Sequence, residues 1–192
     1  MIRRINLMPG DIQVSSDPGT VLTTLLGSCV AACLYDPVAR VFGMNHFLLA
    51  SRSPRHVDPV VSEAGRYGVH AMELLINGLL KQGASRDRLK AKVFGGANVL
   101  SHVSRDQFAI GEINADFVRE FLDNEDIPLV ASDLGGQAGR QVHFQGRDFA
   151  VYVKLLGESR VRDVVAEEAR YRERRIAAQT GASEGSITFF DE

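Results

Sequence analysis

Cys29 follows directly on Gly27-Ser28, and His46 lies beyond it across two strand-like runs joined at Asp36-Pro37-Val38-Ala39-Arg40. A thiol with an imidazole in reach is the minimal equipment of a cysteine nucleophile and its general base. The imidazole also stabilises the thiolate and draws the thiol pKa below its ordinary value of about 8.5. Read as a tight hairpin, the join sets Asp36 opposite Ala39 and Tyr35 opposite Arg40, and that register brings Cys29 directly opposite His46. Partners of this kind on one face have Cβ atoms about 4.5–5.5 Å apart, within reach of a thiol–imidazole contact. A slip of one residue would send the two side chains to opposite faces. The Gly27-Ser28 break also frees backbone N–H groups beside the sulfur, which makes Ser28 a candidate for the backbone that holds an oxyanion.

The other reactive side chains fit blander roles. Cys33 shares the Cys29 face but lies deeper along the strand, opposite Phe42, and reads as a core residue. On one strand the two thiols would stand about 13 Å apart, too far for a disulfide or for one metal ion. His56, His70, His102 and His143 show no ligand spacing on a common element and read as surface or structural residues. Glycines at 95, 96, 111, 135, 136 and 139 form no nucleotide fingerprint, so turn geometry and close backbone approach are their expected uses. Asp133 and Arg140 read as a structural ion pair. The expected chemistry calls for no metal and no organic cofactor.

These residues need a scaffold. Residues 11 to 15 and 20 to 26 read as short strands around a turn at Ser16-Asp17-Pro18-Gly19, followed by the Cys29 and His46 strands. A polar loop with Pro54 and Pro59 comes next, a type of segment that often handles substrate beside a site. Ser62 and Glu63 can open a helix running to Gln82, with Val69, Met72, Leu75, Ile76 and Leu79 as its buried stripe and Gly83 as its cap. Leu89 to Phe94 reads as a strand, Glu112 to Asn124 as a helix with Ile113, Phe117, Val118 and Phe121 inward, and Ile127 to Ala131 as a buried strand. A hairpin across Gln145-Gly146-Arg147-Asp148 completes the set. Strand runs flanked by helices predict an α/β fold, a single layered domain with a mixed β-sheet and packed helices.

From Gly157 onward Arg and Glu crowd the chain, and the apolar stripe thins to Val161, Val164, Val165 and Ala169. The expected division is a domain over residues 1–157 and a charged surface helix with a flexible tail over 158–192. Phe189-Phe190 beside acids in that tail suit either a disordered end or a short docking peptide.

At 192 residues, 45% hydrophobic and 24% charged, the composition is that of an ordinary soluble globular protein. A net charge of -2 gives no electrostatic reason to expect nucleic acid or an acidic membrane surface as a partner. The N-terminal stretch has basic residues but no apolar run of signal-peptide length, and no segment is apolar enough to span a bilayer. A cytoplasmic protein with reduced thiols and no direct membrane insertion is expected.

Taken together, Thr23 to Pro37 with its Leu26-Gly27-Ser28-Cys29-Val30 core, Gly43-Met44-Asn45-His46-Phe47, Tyr67-Gly68, Val93-Phe94-Gly95-Gly96-Ala97, Ile110-Gly111 with Asn114, and Asp133 with Gly135-Gly136 and Arg140 resemble the CheD family of chemoreceptor glutamine deamidases. The segments occur in family order over roughly residues 10 to 155. The resemblance implies Cys29 as nucleophile, His46 as base and Thr23 as the group that orients the histidine. It further implies glutamines of methyl-accepting chemotaxis receptors as substrates, and the phosphatase CheC as a partner. On this reading the thiolate attacks a carboxamide, ammonia leaves, and a thioester is hydrolysed to glutamate. The alternatives are a chemotaxis adaptor that binds receptors or CheC with weak or no turnover, and another thiol acyl-transfer enzyme such as a protease or transglutaminase.

Overall fold

The apolar residues divide between two layers of packing, set by strands with alternate faces buried. In the computed structural model the described residues are 2–49, 63–99 and 105–182. The strands are β1 (Arg3–Leu7), β2 (Ile12–Ser15), β3 (Thr20–Leu26), β4 (Val30–Asp36), β5 (Val41–Asn45), β6 (Lys90–Gly95), β7 (Leu129–Leu134), β8 (Arg140–Gln145) and β9 (Val151–Leu155). The helices are α1 (Glu63–Lys81), α2 (Arg105–Asn124) and α3 (Glu158–Ala182). One sheet has the order β1-β3-β8-β9 and the other β2-β5-β4-β6-β7. Two pairings are parallel, β1 with β3 and β6 with β7, and the rest are antiparallel. The expected α/β class with mixed pairing is what forms, with two sheets rather than one.

Even-numbered Leu22, Thr24 and Leu26 of β3 face Ala31, Cys33, Phe42 and Met44 of the second sheet, and Val142 and Phe144 of β8 close this inter-sheet core. On the other face of the second sheet, Met72, Leu75, Ile76 and Leu79 of α1 and Phe117, Val118 and Phe121 of α2 pack on Ala32, Leu34 and Val93. Burying each such large side chain contributes about 1.5–3 kcal/mol, so these two layers supply the rigidity on which any site here must stand. Helix α1 ends where expected. Gly83 has φ of 96°, its N–H donates to the Leu80 carbonyl, and the Ala84 N–H reaches back to Leu79 at 3.1 Å.

The hairpin register differs from the one the join predicts. Tyr35 pairs with Phe42 and Cys33 with Met44, and Val30 bridges to Phe47. The pairing is displaced by two residues because Asp36 holds a wider loop, accepting from the Val38 and Ala39 N–H groups at 2.8 and 3.0 Å. A displacement of two preserves side-chain parity, so Cys29 and His46 stay on one face but stand diagonally rather than directly opposed.

Other expectations shift as well. The strand expected to be buried at Ile127 to Ala131 is instead the edge strand β7, with Leu129 and Val130 exposed and only Ile127 buried. Helix α2 starts at Arg105, earlier than expected, and runs through Gly111. A Cβ there would lie 2.6 Å from the Gly96 carbonyl, so glycine at 111 lets the helix backbone touch the loop after β6. β1 adds a strand beyond those expected. Arg140 grips Asp133 with two bonds of 2.8 Å, which clamps β8 of one sheet to β7 of the other. The polar loop with Pro54 and Pro59, and the Phe189-Phe190 tail, lie outside the described residues.

Candidate active site

Residues 27–29 form a bend between β3 and β4 in which every carbonyl is turned outward and held. The Gly27 carbonyl accepts from Ala97 N–H at 2.8 Å and the Cys29 carbonyl from Gly96 N–H at 2.7 Å. The Ser28 carbonyl accepts from Asn114 Nδ2 at 2.9 Å, while Asn114 Oδ1 takes the Leu49 N–H at 2.9 Å. Gly95, with φ of 108°, permits this clasp, since a Cβ on it would lie 2.2 Å from the Cys29 carbonyl oxygen. With the carbonyls fixed outward, the three N–H groups point inward together. Such a concave run of N–H groups is a nest for anionic oxygen.

The nest is filled. Glu168, on α3, accepts from Gly27 N–H at 2.9 Å and Cys29 N–H at 3.0 Å with Oε1, and from Ser28 N–H at 3.0 Å and Ser28 Oγ at 2.6 Å with Oε2. Cys29 Sγ, a ring nitrogen of His46 and a Glu168 oxygen lie within 4.8 Å of one another, all three residues being buried. Among the described residues these donor types could hold a metal ion, but both carboxylate oxygens are already taken by hydrogen bonds.

His46 sits at the end of β5, its backbone N–H bonded to the Asp11 carbonyl at 3.0 Å. Its Nδ1 lies 2.8 Å from Thr24 Oγ1, and the same hydroxyl is 2.8 Å from the Leu7 carbonyl. A carbonyl can only accept, so the single hydroxyl proton goes to Leu7 and the oxygen accepts from the Nδ1 proton. That assignment leaves Nε2 as the unprotonated nitrogen, and it is buried with no hydrogen-bond partner among the described residues. An unpaired basic nitrogen beside a thiol is the arrangement a general base requires.

The expected orienting residue, Thr23, is elsewhere. It is paired with Asn6 in the β1–β3 ladder, and its hydroxyl lies 3.4 Å from the Ile5 carbonyl and 3.3 Å from Asn6 Oδ1, on the opposite face of β3 from the imidazole. Strand parity is the reason: Thr24 shares a face with Leu22 and Leu26, and that face looks into the inter-sheet core. Because Thr24 belongs to one sheet and His46 to the other, their hydrogen bond spans the inter-sheet space.

Burial and charge set the protonation states. Burial, followed by the negative Glu168, holds the Cys29 thiol well above its ordinary value. Burial lowers His46 to about 4, against an upward pull from Glu168. With Glu168 in place the pair is therefore a neutral thiol and a neutral imidazole at pH 7. Cys33 is likewise buried and raised, and lies among Ala31, Phe42 and Met44.

Comparison with known proteins fixes the lineage. The profile described as CheD chemotactic sensory transduction matches residues 48–155. A protein of Rhizobium leguminosarum bv. trifolii named probable chemoreceptor glutamine deamidase CheD is 49% identical over 191 residues, covering 98% of this chain and 96% of the relative. The chain belongs to the CheD family. The probable chemoreceptor glutamine deamidase CheD 2 of Shewanella oneidensis is 48% identical over 169 residues, 85% of this chain and 83% of its own length. The corresponding CheD protein of Agrobacterium fabrum is 54% identical over 142 residues, 74% of each chain.

Sequence reasoning thus reaches Cys29, His46 and the Ser28 backbone, and the structure brings all three to one place with Thr24 added. It missed Glu168. A signal was available, since Glu168 continues the stripe of Val161, Val164 and Val165 at helical spacing, and an acid in an apolar stripe demands a partner. Among the described residues, no helix is long and apolar enough to cross a membrane.

Proposed function

We propose that this CheD-family chain is a protein-glutamine deamidase, converting glutamine side chains of chemotaxis receptors to glutamate with release of ammonia. The observation that carries the reading is the Cys29 thiol beside the imidazole of His46, whose Nε2 has no hydrogen-bond partner among the described residues, next to three backbone N–H groups that together hold one carboxylate. His46 Nε2 takes the thiol proton as sulfur attacks the glutamine Cδ. The developing oxyanion enters the N–H groups of Gly27 and Cys29, which are fixed before the reaction, and the Ser28 N–H and Oγ stand beside it on the side of the second carboxyl position. The imidazolium returns the proton to the departing nitrogen, ammonia leaves, and a thioester remains. His46 then activates a water that hydrolyses the thioester to glutamate and regenerates the thiol. Thr24 keeps the imidazole in the tautomer that presents Nε2 to sulfur. A neutral hydroxyl does this without the strong stabilisation of imidazolium that a carboxylate gives.

Chemoreceptor glutamines as substrates follow the names of the relatives, and a cytoplasmic setting, where thiols stay reduced, suits a reaction that runs through a free cysteine. A CheC phosphatase as binding partner rests on the family resemblance. The deciding experiment is incubation of a receptor cytoplasmic fragment with the protein. Ammonia release together with glutamine-to-glutamate conversion in intact receptor supports deamidation. Cleaved receptor would indicate a protease, crosslinked receptor a transglutaminase, and receptor bound but unaltered an adaptor.

A further inference from the structure

The deamidase reading gives no role to the carboxylate of Glu168, which is seated against the nucleophile from a helix at the far end of the chain. Its two oxygens are distributed as those of a newly formed glutamate product would be. Oε1 lies on the N–H groups of Gly27 and Cys29, where the substrate carbonyl oxygen would be held. Oε2 lies on Ser28 N–H and Oγ, the position open to the oxygen that replaces the amide nitrogen. Among the described residues Glu168 has no cationic partner, so the donors that hold it are those of the candidate oxyanion site itself.

The helix is built to deliver this one side chain. Val161, Val164, Glu168, Tyr171 and Arg175 recur at three- and four-residue spacing and form a single seam. Val161 packs over Gly139, Tyr171 lies against Gly10 and shares a hydroxyl hydrogen bond with Tyr67, and the Arg175 guanidinium stands 3.8 Å above the Tyr67 ring. Among the described side chains of α3 only Val164 and Glu168 are buried, at 2% and 6% exposure. One fully buried apolar side chain, supported by the half-buried Val161, Val165 and Tyr171, is a light hold for so long a helix. The fit also leaves a cavity of about 50 Å³ beside Glu168, bordered by Ser28, Leu48, Val99, Val165 and Ala169, so the seat lacks the density of the two cores. With the helix in place Cys29 has no exposed surface.

We propose that α3 is an internal product mimic, which places Glu168 where the reaction leaves its glutamate and must withdraw before a receptor glutamine can enter. The inference rests on the deamidase reading above. It assigns α3 the role of a competitor for the substrate site, and it sets the activity of the full chain by the fraction of molecules in which the helix is lifted. A partner or receptor surface that binds α3 in its lifted state activates the enzyme by that binding.

The test uses the full chain with Glu168→Gln, which turns the mimic into a substrate held in place. Cys29 sulfur adds to the Cδ of the introduced carboxamide, the amide nitrogen leaves with a proton as ammonia, and water cleaves the thioester to restore Glu168 and the free thiol. Mass spectrometry should find the amide converted to acid, with one ammonia released per chain, and no conversion when Cys29→Ala is combined with it. In parallel, Glu168→Ala should speed receptor deamidation and alkylation of Cys29. If the seated form holds about 90% of molecules, the gain is about tenfold. Tyr171→Ala, which loosens the seam while keeping the carboxylate, should give a gain in the same direction. Persistence of the introduced amide in a Glu168→Gln preparation that deamidates receptor, or a loss of receptor turnover in Glu168→Ala, overturns the mimic and leaves the deamidase reading standing. Absence of receptor deamidation in both the unmodified protein and Glu168→Ala overturns the deamidase reading, and the mimic with it.

Discussion

The backbone N–H of Cys29 donates to the carboxylate of Glu168 at 3.0 Å across 139 positions of sequence. That bond ties the proposed nucleophile to α3. It means the loop around Cys29 is formed and donor-rich before any substrate arrives. It also means that what the thiol experiences depends on where α3 lies.

Thr24→Ala should reduce receptor deamidation more than Thr23→Ala. Thr24 holds His46 Nδ1 at 2.8 Å, whereas the Thr23 hydroxyl lies against the Ile5 carbonyl and Asn6 Oδ1 of β1. A general base contributes about 10²–10⁴ in rate, and loss of its orientation alone should cost a part of that, about 10–100-fold. Thr23→Ala should stay within about threefold of the parent rate, because its removal leaves every reacting group and its supports in place. Steady-state rates of the two variants decide it. A silent Thr24→Ala would contradict the assignment.

Cys33→Ala should retain turnover. Its sulfur lies in the inter-sheet core and is fully buried, so its loss creates a small void that costs about 1 kcal/mol. Chemical denaturation should register that loss while the deamidation rate holds.

Acid should destabilise the protein partly through His46. Burial lowers its folded pKa to about 4, against an ordinary 6.5. Between those values the unfolded chain binds the proton and the folded one does not, so stability falls as pH is lowered through that window and levels off below it. Asp36 acts at lower pH. Against the upward push of burial, Arg88 and the N–H groups of Ala39, Ser85 and Val38 hold its carboxyl at about 2, so its contribution is present above 3.8 and lost as pH falls through about 2. Thermal unfolding from pH 7 to 4 should therefore show a decline that His46→Gln flattens. An unchanged slope in that variant would show that the imidazole titrates normally.

Much of this was legible in the residues because strands and helices write their burial as a period. The α1 stripe and its Gly83 cap follow directly from spacing, and the hairpin preserves the shared face of Cys29 and His46 even though its register moves by two. What failed was information that no single element contains. Asp36 widens the hairpin loop through bonds to the Val38 and Ala39 N–H groups, and it is itself anchored to Arg88 from beyond α1. Thr23 and Thr24 cannot be separated by pattern, since Val21 and Leu25 make one face of β3 as apolar as Leu22 and Leu26 make the other. Only the packing of the two sheets chooses between them. β7 reads as buried from Leu129 and Val130, yet its place at the sheet edge leaves them exposed. The charge density of α3 pointed to a solvated helix, and its decisive residue is the one acid that is not solvated.

Deamidation through the Cys29 sulfur is tested most directly by the mass of a receptor cytoplasmic fragment. The fragment is incubated with the parent protein, with Cys29→Ala and with Cys33→Ala, each checked for folding by circular dichroism. Glutamine-to-glutamate conversion is expected with the parent and Cys33→Ala, and none above the uncatalysed rate with folded Cys29→Ala. Conversion by folded Cys29→Ala at the parent rate would contradict the assignment of Cys29 as nucleophile.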